Sequence, residues 1–268
     1  LAPNKLLGQH FLLNTDIIDL MIESANLEDV DTLVEVGPGL GVLTERLLAT
    51  GKKVVTIEKD KGIARTLEKK YSGLQVINDD VLTCNIPELL GDAGSYSVIA
   101  NLPYNITARF INLMLSGVER APVEVIVMIQ KEVAERLVAK PGDLTKIGLM
   151  AQVYSDPEIL IDYIEPQNFY PEPKVNSAVV KMVAKLKPLK IFPQESDFEK
   201  TFWRLVRIGF ASKRKKLTNN LSSGLKISTQ KSKEMLTLAG IDPSVRAEDM
   251  SVDDWVKTVD ICVKNHCR

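Results

Sequence analysis

Short apolar runs alternate with amphipathic stretches over roughly the first 185 residues of the chain. Continuous apolar runs bounded by glycine or polar residues are typical of strands buried on both faces. We predict strands near residues 32–36, 53–57, 74–77, 97–100, 123–129, 158–164 and 177–184. Helical patterns between the first runs indicate a mostly parallel sheet covered on both faces. Only a loop at residues 166–173 separates the last two runs, which suits an antiparallel hairpin at the end of the sheet.

The pattern becomes entirely helical towards the C-terminus. Residues 187–193 contain two prolines and form the best linker, Ser196 and Thr229 are candidate helix N-caps, and residues 240–243 read as a turn. We therefore predict two domains, an α/β domain at residues 1–189 and a small all-helical domain at residues 190–268.

A strand, a glycine turn and a helix follow one another at residues 32–48. The turn reads Gly37-Pro38-Gly39-Leu40-Gly41, and glycines let the backbone of such a turn approach a nucleotide. A dinucleotide site requires G-x-G-x-x-G, whereas this turn has G-x-G-x-G with Glu35 two residues before the first glycine. This spacing favours S-adenosylmethionine over NAD and leaves a dinucleotide oxidoreductase as the alternative at the level of the fold.

Two carboxylates follow the next two predicted strands. Glu58 ends the second strand, where an acid can accept both ribose hydroxyls of a nucleotide, and Asp80 follows the third, where it can accept an adenine amine. The alternative for either acid is a helix cap or a solvated loop charge. Both belong to the carboxyl ends of successive strands, the edge at which open α/β sheets bind ligands.

The tetrapeptide Asn101-Leu102-Pro103-Tyr104 directly follows the apolar run at residues 97–100. An adenine amine is a poor nucleophile, so an enzyme that alkylates it must hold its nitrogen close to tetrahedral geometry. The Asn101 side-chain oxygen and a backbone carbonyl near Pro103 can each accept one N–H, and the Tyr104 ring can stack on the base. The alternative is an ordinary strand-to-turn exit in which Tyr104 serves packing.

Together, the glycine turn and this tetrapeptide resemble the KsgA family of ribosomal RNA adenine dimethyltransferases. The resemblance covers nearly the whole chain, since residues 5–12, 130–137, 169–177 and 240–248 also match family motifs in the same order. One departure is Ile147, where the family usually has Tyr. Because the chain begins at Leu1, we expect a basic N-terminal extension to be missing from it.

The resemblance implies a Rossmann-like S-adenosylmethionine-dependent methyltransferase fold with a seven-stranded sheet and a C-terminal helical RNA-binding domain. It implies that the cofactor S-adenosyl-L-methionine is bound by Gln9, His10, Leu12, Gly37, Gly39, Glu58, Lys59, Asp80, Val81 and Asn101. The implied catalytic residues are Asn101, Pro103, Tyr104 and Phe169. Without the motif, His10 reads as a capping or packing residue ahead of the helix start at Asn14, and Phe169 reads equally well as core.

A net charge of −1 hides a strong asymmetry along the chain. Residues 1–199 have a net charge of −8, and residues 200–268 have a net charge of +7. Seven basic residues and no acid occupy the 17 residues from Lys200 to Lys216. Such a stretch can neutralise several phosphates, so we predict RNA binding by Arg204, Arg207, Lys213, Arg214, Lys215 and Lys216. The alternative is a solvated helix face.

The cysteines and the lengths of the apolar runs bear on the cellular location of the protein and on metal binding. The chain has three cysteines, Cys84, Cys262 and Cys267, and none of them belongs to a C-x-x-C motif. Because any disulfide scheme leaves one of them unpaired, the cysteines favour a reducing cytoplasm. A frayed C-terminus is preferred over a zinc site at Cys262, His266 and Cys267, so we predict no metal. The sequence has no apolar run of 18 residues and no signal-peptide pattern. We expect a soluble, cytoplasmic protein without a membrane partner.

Our hypothesis is dimethylation of the N6 amines of two adjacent adenosines near the 3′ end of small-subunit ribosomal RNA. The implied partners are the small ribosomal subunit and its RNA, with no DNA, and we expect a monomer. The rival within the class is a macrolide-resistance type enzyme acting on the large subunit, which usually has Ile in place of Leu102 and lacks such a long helical tail. DNA adenine methyltransferases usually have a different tetrapeptide. A non-catalytic ribosome-assembly factor is expected to lack Glu58, Asp80 or Asn101.

Overall fold

The structure is a computed structural model that describes residues 9–92, 94–118, 120–185 and 197–265. Within these ranges the chain forms two compact units. The first comprises the residues up to 135 together with residues 155–184, and the second comprises residues 136–154 together with those from 185 onward.

The strands all belong to the first unit. They are β1 (Phe11–Leu12), β2 (Thr32–Val36), β3 (Lys53–Ile57), β4 (Gln75–Ile77), β5 (Tyr96–Asn101), β6 (Glu124–Gln130), β7 (Ser155–Ile164), β8 (Phe169–Tyr170) and β9 (Ser177–Ala184). The helices of this unit are α1 (Thr15–Glu23), α2 (Val42–Ala49), α3 (Lys61–Lys70), α4 (Ile86–Leu90) and α5 (Thr107–Asn112), followed by α6 (Lys131–Leu137), which extends into the second unit.

Seven strands form one sheet in the order β4-β3-β2-β5-β6-β9-β7. The first five are parallel to one another, whereas β9 is antiparallel to both β6 and β7. The predicted sheet and its terminal hairpin are therefore confirmed, although β7 begins at Ser155 rather than near residue 158. The predicted loop at residues 166–173 contains β8, which pairs with β1 in a separate two-stranded sheet.

The apolar runs became strands because both faces of the sheet are covered. All five residues of β2 are buried, and five of the six residues of β5 are. Helix α1 packs its buried residues Ile17, Ile18 and Met21 into the same core. This helix begins where the sequence indicated, because the Asn14 side chain accepts the Asp16 N–H and caps it.

A buried ion pair joins the sheet to the end of α1. Lys181 Nζ lies 3.2 Å from Glu124 Oε2, a charge contact without hydrogen-bond geometry, and the two side chains are 10% and 0% exposed. Lys181 also donates to Ser24 O, and Glu124 Oε1 accepts the Asn26 N–H at 2.7 Å. The pair therefore anchors the turn after α1 to β6 and β9.

The second unit is helical, with α7 (Lys146–Tyr154), α8 (Phe198–Gly209), α9 (Leu217–Leu225), α10 (Thr229–Leu238) and α11 (Val252–Lys264). Gly209 allows α8 to approach Trp255, since a Cβ there would lie 2.4 Å from that ring. The N-cap of α10 is Ser228, which accepts the Lys231 N–H, and not Thr229 as the sequence suggested. In the described ranges, no helix is both long and apolar enough to cross a membrane.

Helix α7 belongs to the second unit, although the sequence-based division places it in residues 1–189. Its Tyr154 stacks on Trp203, and the Trp203 ring N–H donates to the Tyr154 hydroxyl at 2.8 Å. The predicted linker at residues 187–193, the boundary at residue 189 and the candidate cap Ser196 lie outside the described residues. The C-terminal His266 and Cys267 lie outside them too.

Replacing Lys181 by Met should strongly destabilise the first unit. The substitution leaves the Glu124 carboxylate buried without its cation, which costs about 3–5 kcal/mol in comparable buried pairs. Urea unfolding followed by circular dichroism measures the free energy of unfolding. Lys131→Met is the matched control, because it breaks only the solvent-accessible pair with Glu135, whose side chains are 31% and 55% exposed, and should cost less than about 1 kcal/mol. Equal losses in both variants would contradict the anchoring role.

Candidate active site

Four parallel strands, β4, β3, β2 and β5, end at the same edge of the sheet in the first unit. The chain builds the sheet outward from β2 on one side and from β5 on the other, so the topological switch point lies between these two strands. A cavity of about 290 Å³ opens there. Every residue that the resemblance assigns to the cofactor lines this cavity, and so does Pro103, whereas Tyr104 and Phe169 do not.

The glycine turn lines the cavity with its residues 37–40. Gly39 and Gly41 have φ values of +53° and +82°, which residues with a side chain rarely adopt. A Cβ on Gly39 would also lie 2.9 Å from the Phe11 ring. The glycine at position 39 therefore allows the N-terminal segment to pack directly over the turn.

Glu58 lies at the end of β3 and is only 5% exposed. Burial raises the pKa of its carboxyl, and the N–H groups of Asp60 and Gly39 partly offset this effect. The Asp60 N–H donates to Glu58 Oε1 at 2.7 Å. The carboxyl is thus held in one orientation beside the glycine turn, where it can accept the hydroxyls of a ribose.

Asp80 follows β4 and already has two partners. Its Oδ2 accepts from Lys59 Nζ at 2.9 Å and its Oδ1 accepts the Leu82 N–H at 3.0 Å. The Lys59 contact and the Leu82 N–H hold the pKa of this carboxyl below its usual range. Asp80 is therefore a carboxylate at the cavity wall, and acceptance of an adenine amine by this side chain remains a prediction.

Glu35 was used in the sequence only to identify the spacing of the glycine turn, and the structure adds it to the cavity wall. It is 1% exposed, and its Oε2 accepts from the Thr44 hydroxyl at 2.6 Å. Burial raises the pKa of Glu35 to about 8, against the opposing hydrogen bond from Thr44, and the charge of Glu58 adds to the rise. A charged residue within a largely apolar strand was the signal in the sequence, but the pattern could not show that its side chain lines the cavity.

The two buried acids of the cavity fit a cationic ligand. Within the described residues, neither Glu35 nor Glu58 forms an ion pair, and both face the same cavity. Burial favours the protonated form of both acids in the free protein. A ligand that brings positive charge stabilises their ionised form, whereas a pyrophosphate would oppose it. The site therefore fits S-adenosylmethionine, which carries a sulfonium and an ammonium group, better than a dinucleotide.

Asn101 ends β5 and is oriented by the N-terminal segment. Its side-chain Nδ2 donates to the His10 carbonyl at 3.0 Å. Because a carbonyl can only accept, the amide nitrogen must face His10, and Oδ1 is left to face the other way. No described residue donates to this Oδ1, so it is available as an acceptor for a substrate N–H.

Three segments far apart in the sequence meet at Tyr104. The Tyr104 ring stacks on His10 with 5.4 Å between ring centroids, and its hydroxyl shares a 2.6 Å hydrogen bond with Ser177 Oγ. His10 Nδ1 in turn donates to Pro171 O at 2.6 Å. The N-terminal segment, the tetrapeptide and the motif at residues 169–177 thereby form one arrangement beside the cavity.

Residues 2–264 match the family model described as ribosomal RNA adenine dimethylase. The chain belongs to this family. It is 39% identical over 260 residues to ribosomal RNA small subunit methyltransferase A of Dehalococcoides mccartyi, with 96% of this chain and 87% of the relative covered. The corresponding protein of Desulfitobacterium hafniense is 38% identical over 267 residues, with 98% and 93% covered.

Solved structures agree with the family assignment. A dimethyladenosine transferase from Plasmodium falciparum superposes with a TM-score of 0.76 at 25% identity, covering 96% of this chain and 98% of that one. The 23S rRNA methyltransferase ErmE, at 22% identity and a TM-score of 0.73, covers 94% and 98% and supports the fold alone. As a dimethylase family member, the protein is an S-adenosylmethionine-dependent rRNA adenine dimethyltransferase, which confirms the predicted fold, cofactor and enzyme class.

Phe169, assigned to the dimethylase active site by the resemblance, lies in the core. It is 2% exposed and pairs with Leu12 between β8 and β1, while its neighbour Tyr170 is 61% exposed. The alternative left open by the sequence, core burial, describes this position. At this exposure, the Phe169 ring presents almost no surface that a target base could contact.

The predicted RNA-binding residues lie in the second unit. Five of them, Arg207 and residues 213–216, are exposed, and Arg204 is half-buried. The buried residues of α8, among them Phe202, Leu205 and Val206, form its opposite face. Only Lys213 of the predicted set has an ion pair in the described residues, with Glu248 at 3.6 Å. Most of this positive charge is therefore available to a polyanion.

Replacing Glu35 by Gln should change how stability depends on pH. In the wild type, the folded carboxyl keeps its proton up to about pH 8, whereas the unfolded carboxyl loses it near pH 4.5. Stability is therefore lost as pH rises through this window, by on the order of 1 kcal/mol per pH unit from this group. A neutral amide at this position removes that slope, so the variant should gain stability relative to the wild type between pH 5 and pH 8.

Urea unfolding of the cofactor-free protein at several pH values measures this difference. Glu68→Gln is the control, because Glu68 is exposed on α3 and its neutralisation should leave the slope unchanged. Parallel pH profiles for the wild type and Glu35→Gln would show that Glu35 is already ionised in the folded protein.

Proposed function

We propose that this protein transfers methyl groups to the N6 amines of two adjacent adenosines near the 3′ end of small-subunit ribosomal RNA. The observation that carries the chemistry is the orientation of Asn101, whose amide nitrogen is engaged by His10 while its oxygen is left for an amine. The choice of the small subunit is supported by the relatives at 38–39% identity, which are small-subunit enzymes.

Two acceptors at the end of β5 can hold the target amine. Asn101 Oδ1 is one of them. Among the carbonyls near Pro103, Pro103 O already accepts the Ile106 N–H at 3.1 Å, whereas Leu102 O accepts from no described residue. Leu102 O is therefore the better partner for the second N–H. Two such hydrogen bonds draw the amine out of conjugation and turn its lone pair towards the cavity.

Orientation accounts for most of the catalysis in this proposal. S-adenosylmethionine, when bound, supplies a methyl group that its sulfonium has already activated. Fixing a nucleophile against such a group converts an intermolecular step into an effectively intramolecular one. A strong base is not required, because the N–H becomes acidic only after the nitrogen has attacked. The Asn101 and Leu102 acceptors suffice for the first transfer, and one N–H remains to be held in the second.

Tyr104 supplies a stacking surface for the adenine. One face of its ring lies against His10, and its hydroxyl is fixed by Ser177, so the ring cannot turn freely. Burial raises the pKa of this hydroxyl, so the phenol stays neutral in the physiological range. A base stacked on the other face would bring its amine towards Asn101.

The second unit would grip the RNA through Arg204, Arg207 and residues 213–216. We propose this division of labour for the predicted domains, with catalysis at residues 1–189 and RNA binding at residues 190–268, although α7 belongs to the second unit. The partners are the small subunit and its RNA, and we propose a monomer that works in the cytoplasm, where ribosomes are assembled.

Methyl incorporation from labelled S-adenosylmethionine tests this function. Unmethylated small and large subunits are incubated separately, and the modified nucleosides are resolved by mass spectrometry. We expect N6,N6-dimethyladenosine in the small subunit only, and none with Asn101→Ala. Label in the large subunit would favour the resistance-type activity, whereas cofactor binding without transfer to either subunit would indicate an assembly factor.

Replacing Tyr104 by Ala should lower kcat/KM for small subunits by roughly 10- to 100-fold, because loss of base stacking costs about 1–3 kcal/mol. Tyr104→Phe keeps the ring and removes only the hydrogen bond to Ser177, so it should retain most activity. Tyr163→Ala is the control, since Tyr163 is an exposed tyrosine of β7 outside the site. A Phe variant as inactive as the Ala variant would assign the role to the hydroxyl instead of the ring.

A further inference from the structure

Arg109 is a basic residue at the cavity that no motif singled out. It lies on α5, the helix that follows the tetrapeptide at residues 101–104, and it lines the cavity together with Asn105 and Ile106. Unlike Glu35 and Glu58, which form the interior wall, Arg109 is exposed. Its guanidinium therefore belongs to the mouth of the cavity.

Within the described part of the chain, the Arg109 guanidinium has no fixed partner. It makes no side-chain hydrogen bond and no ion pair with any residue that the structure describes. The charge of Arg109 contributes to the lowered pKa of Asp80, but the hydrogen bond from Lys59 is the largest cause and Arg109 the smallest. Lys59 already occupies Asp80 Oδ2 at 2.9 Å. Arg109 thus remains available for a ligand that approaches from outside.

An RNA strand would bring such a ligand to this position. For its amine to reach Asn101, an adenosine must leave its stack and enter the site, so the phosphates next to it come to the cavity mouth. A guanidinium binds phosphate through two parallel N–H bonds and is always charged. The cofactor is a poorer partner, because it carries one carboxylate against two positive groups, whereas each nucleotide of the RNA backbone brings an uncompensated negative charge.

We propose that Arg109 binds a backbone phosphate next to the target adenosine and so positions the RNA for methyl transfer. This inference rests on the proposed function and adds a positioning residue in the first unit to the basic stretch of the second. The phosphate contact of Arg109 fixes the position of the target nucleotide relative to Asn101. The basic stretch of the second unit therefore cannot replace it.

Three variants test the proposal: Arg109→Ala, Arg109→Lys and the control Arg65→Ala. Arg65 is an exposed arginine of α3 that does not line the cavity, so its loss changes the net charge equally. Binding to unmethylated small subunits is measured from about 50 to 200 mM salt, together with methyl transfer and calorimetric binding of S-adenosylmethionine.

We expect Arg109→Ala to weaken subunit binding about tenfold and to reduce the slope of log affinity against log salt by about 0.7–0.9, the loss of one phosphate contact. Arg109→Lys should retain most of the slope, because lysine also binds phosphate as a point charge. Cofactor affinity should stay unchanged in all three variants, and Arg65→Ala should behave as the wild type.

An unchanged slope in Arg109→Ala, or an equal loss in Arg65→Ala, would overturn the proposed role of Arg109. Neither result would contradict the proposed function as long as the wild type transfers methyl groups to small subunits. Weaker cofactor binding with normal subunit binding would also overturn the proposed role, by assigning the charge to the cofactor. Wild-type protein that transfers no methyl to small subunits would overturn the proposed function itself, and the same assay reports this separately.

Discussion

The parallel alignment of β3, β2 and β5 is the constraint on which the site depends. Val36 lies opposite Ile57, and Glu35 lies opposite Ile99, so the three strands end together. The residues that follow them, among them Glu58, are consequently brought to one edge although they are far apart in the sequence. A slip of one residue in a strand would turn its side chains to the other face and dissolve this arrangement.

A further set of contacts fixes the orientation of the side chains at this edge of the sheet. The N-terminal segment crosses it, and the His10 carbonyl sets the orientation of the Asn101 amide. The His10 ring is itself held by Pro171, and Tyr104 is held by Ser177. Each contact fixes a side chain that would otherwise rotate. The conformational entropy of these side chains is therefore lost during folding and not when the substrate binds.

Charge is divided along the chain in a way that matches the two ligands. The cavity of the first unit buries Glu35 and Glu58, which suits a cationic methyl donor, whereas the exposed cations of α8 and residues 213–216 suit a polyanion. Two exposed cations, Lys59 and Arg109, also line this cavity, and Lys59 is paired with Asp80. A near-neutral total therefore conceals two regions of opposite sign.

The sequence alone determined the seven-stranded sheet, because buried parallel strands are continuous apolar runs, and it determined the cofactor class through the glycine spacing and the carboxylates after the strands. Local patterns could not show β8, whose two residues have no period and pair with β1 across the whole unit. They could not show the burial of Phe169, the raised pKa of Glu35 or the position of Arg109 at the cavity either. Those properties depend on distances between segments remote in the sequence, and only tertiary packing sets such distances.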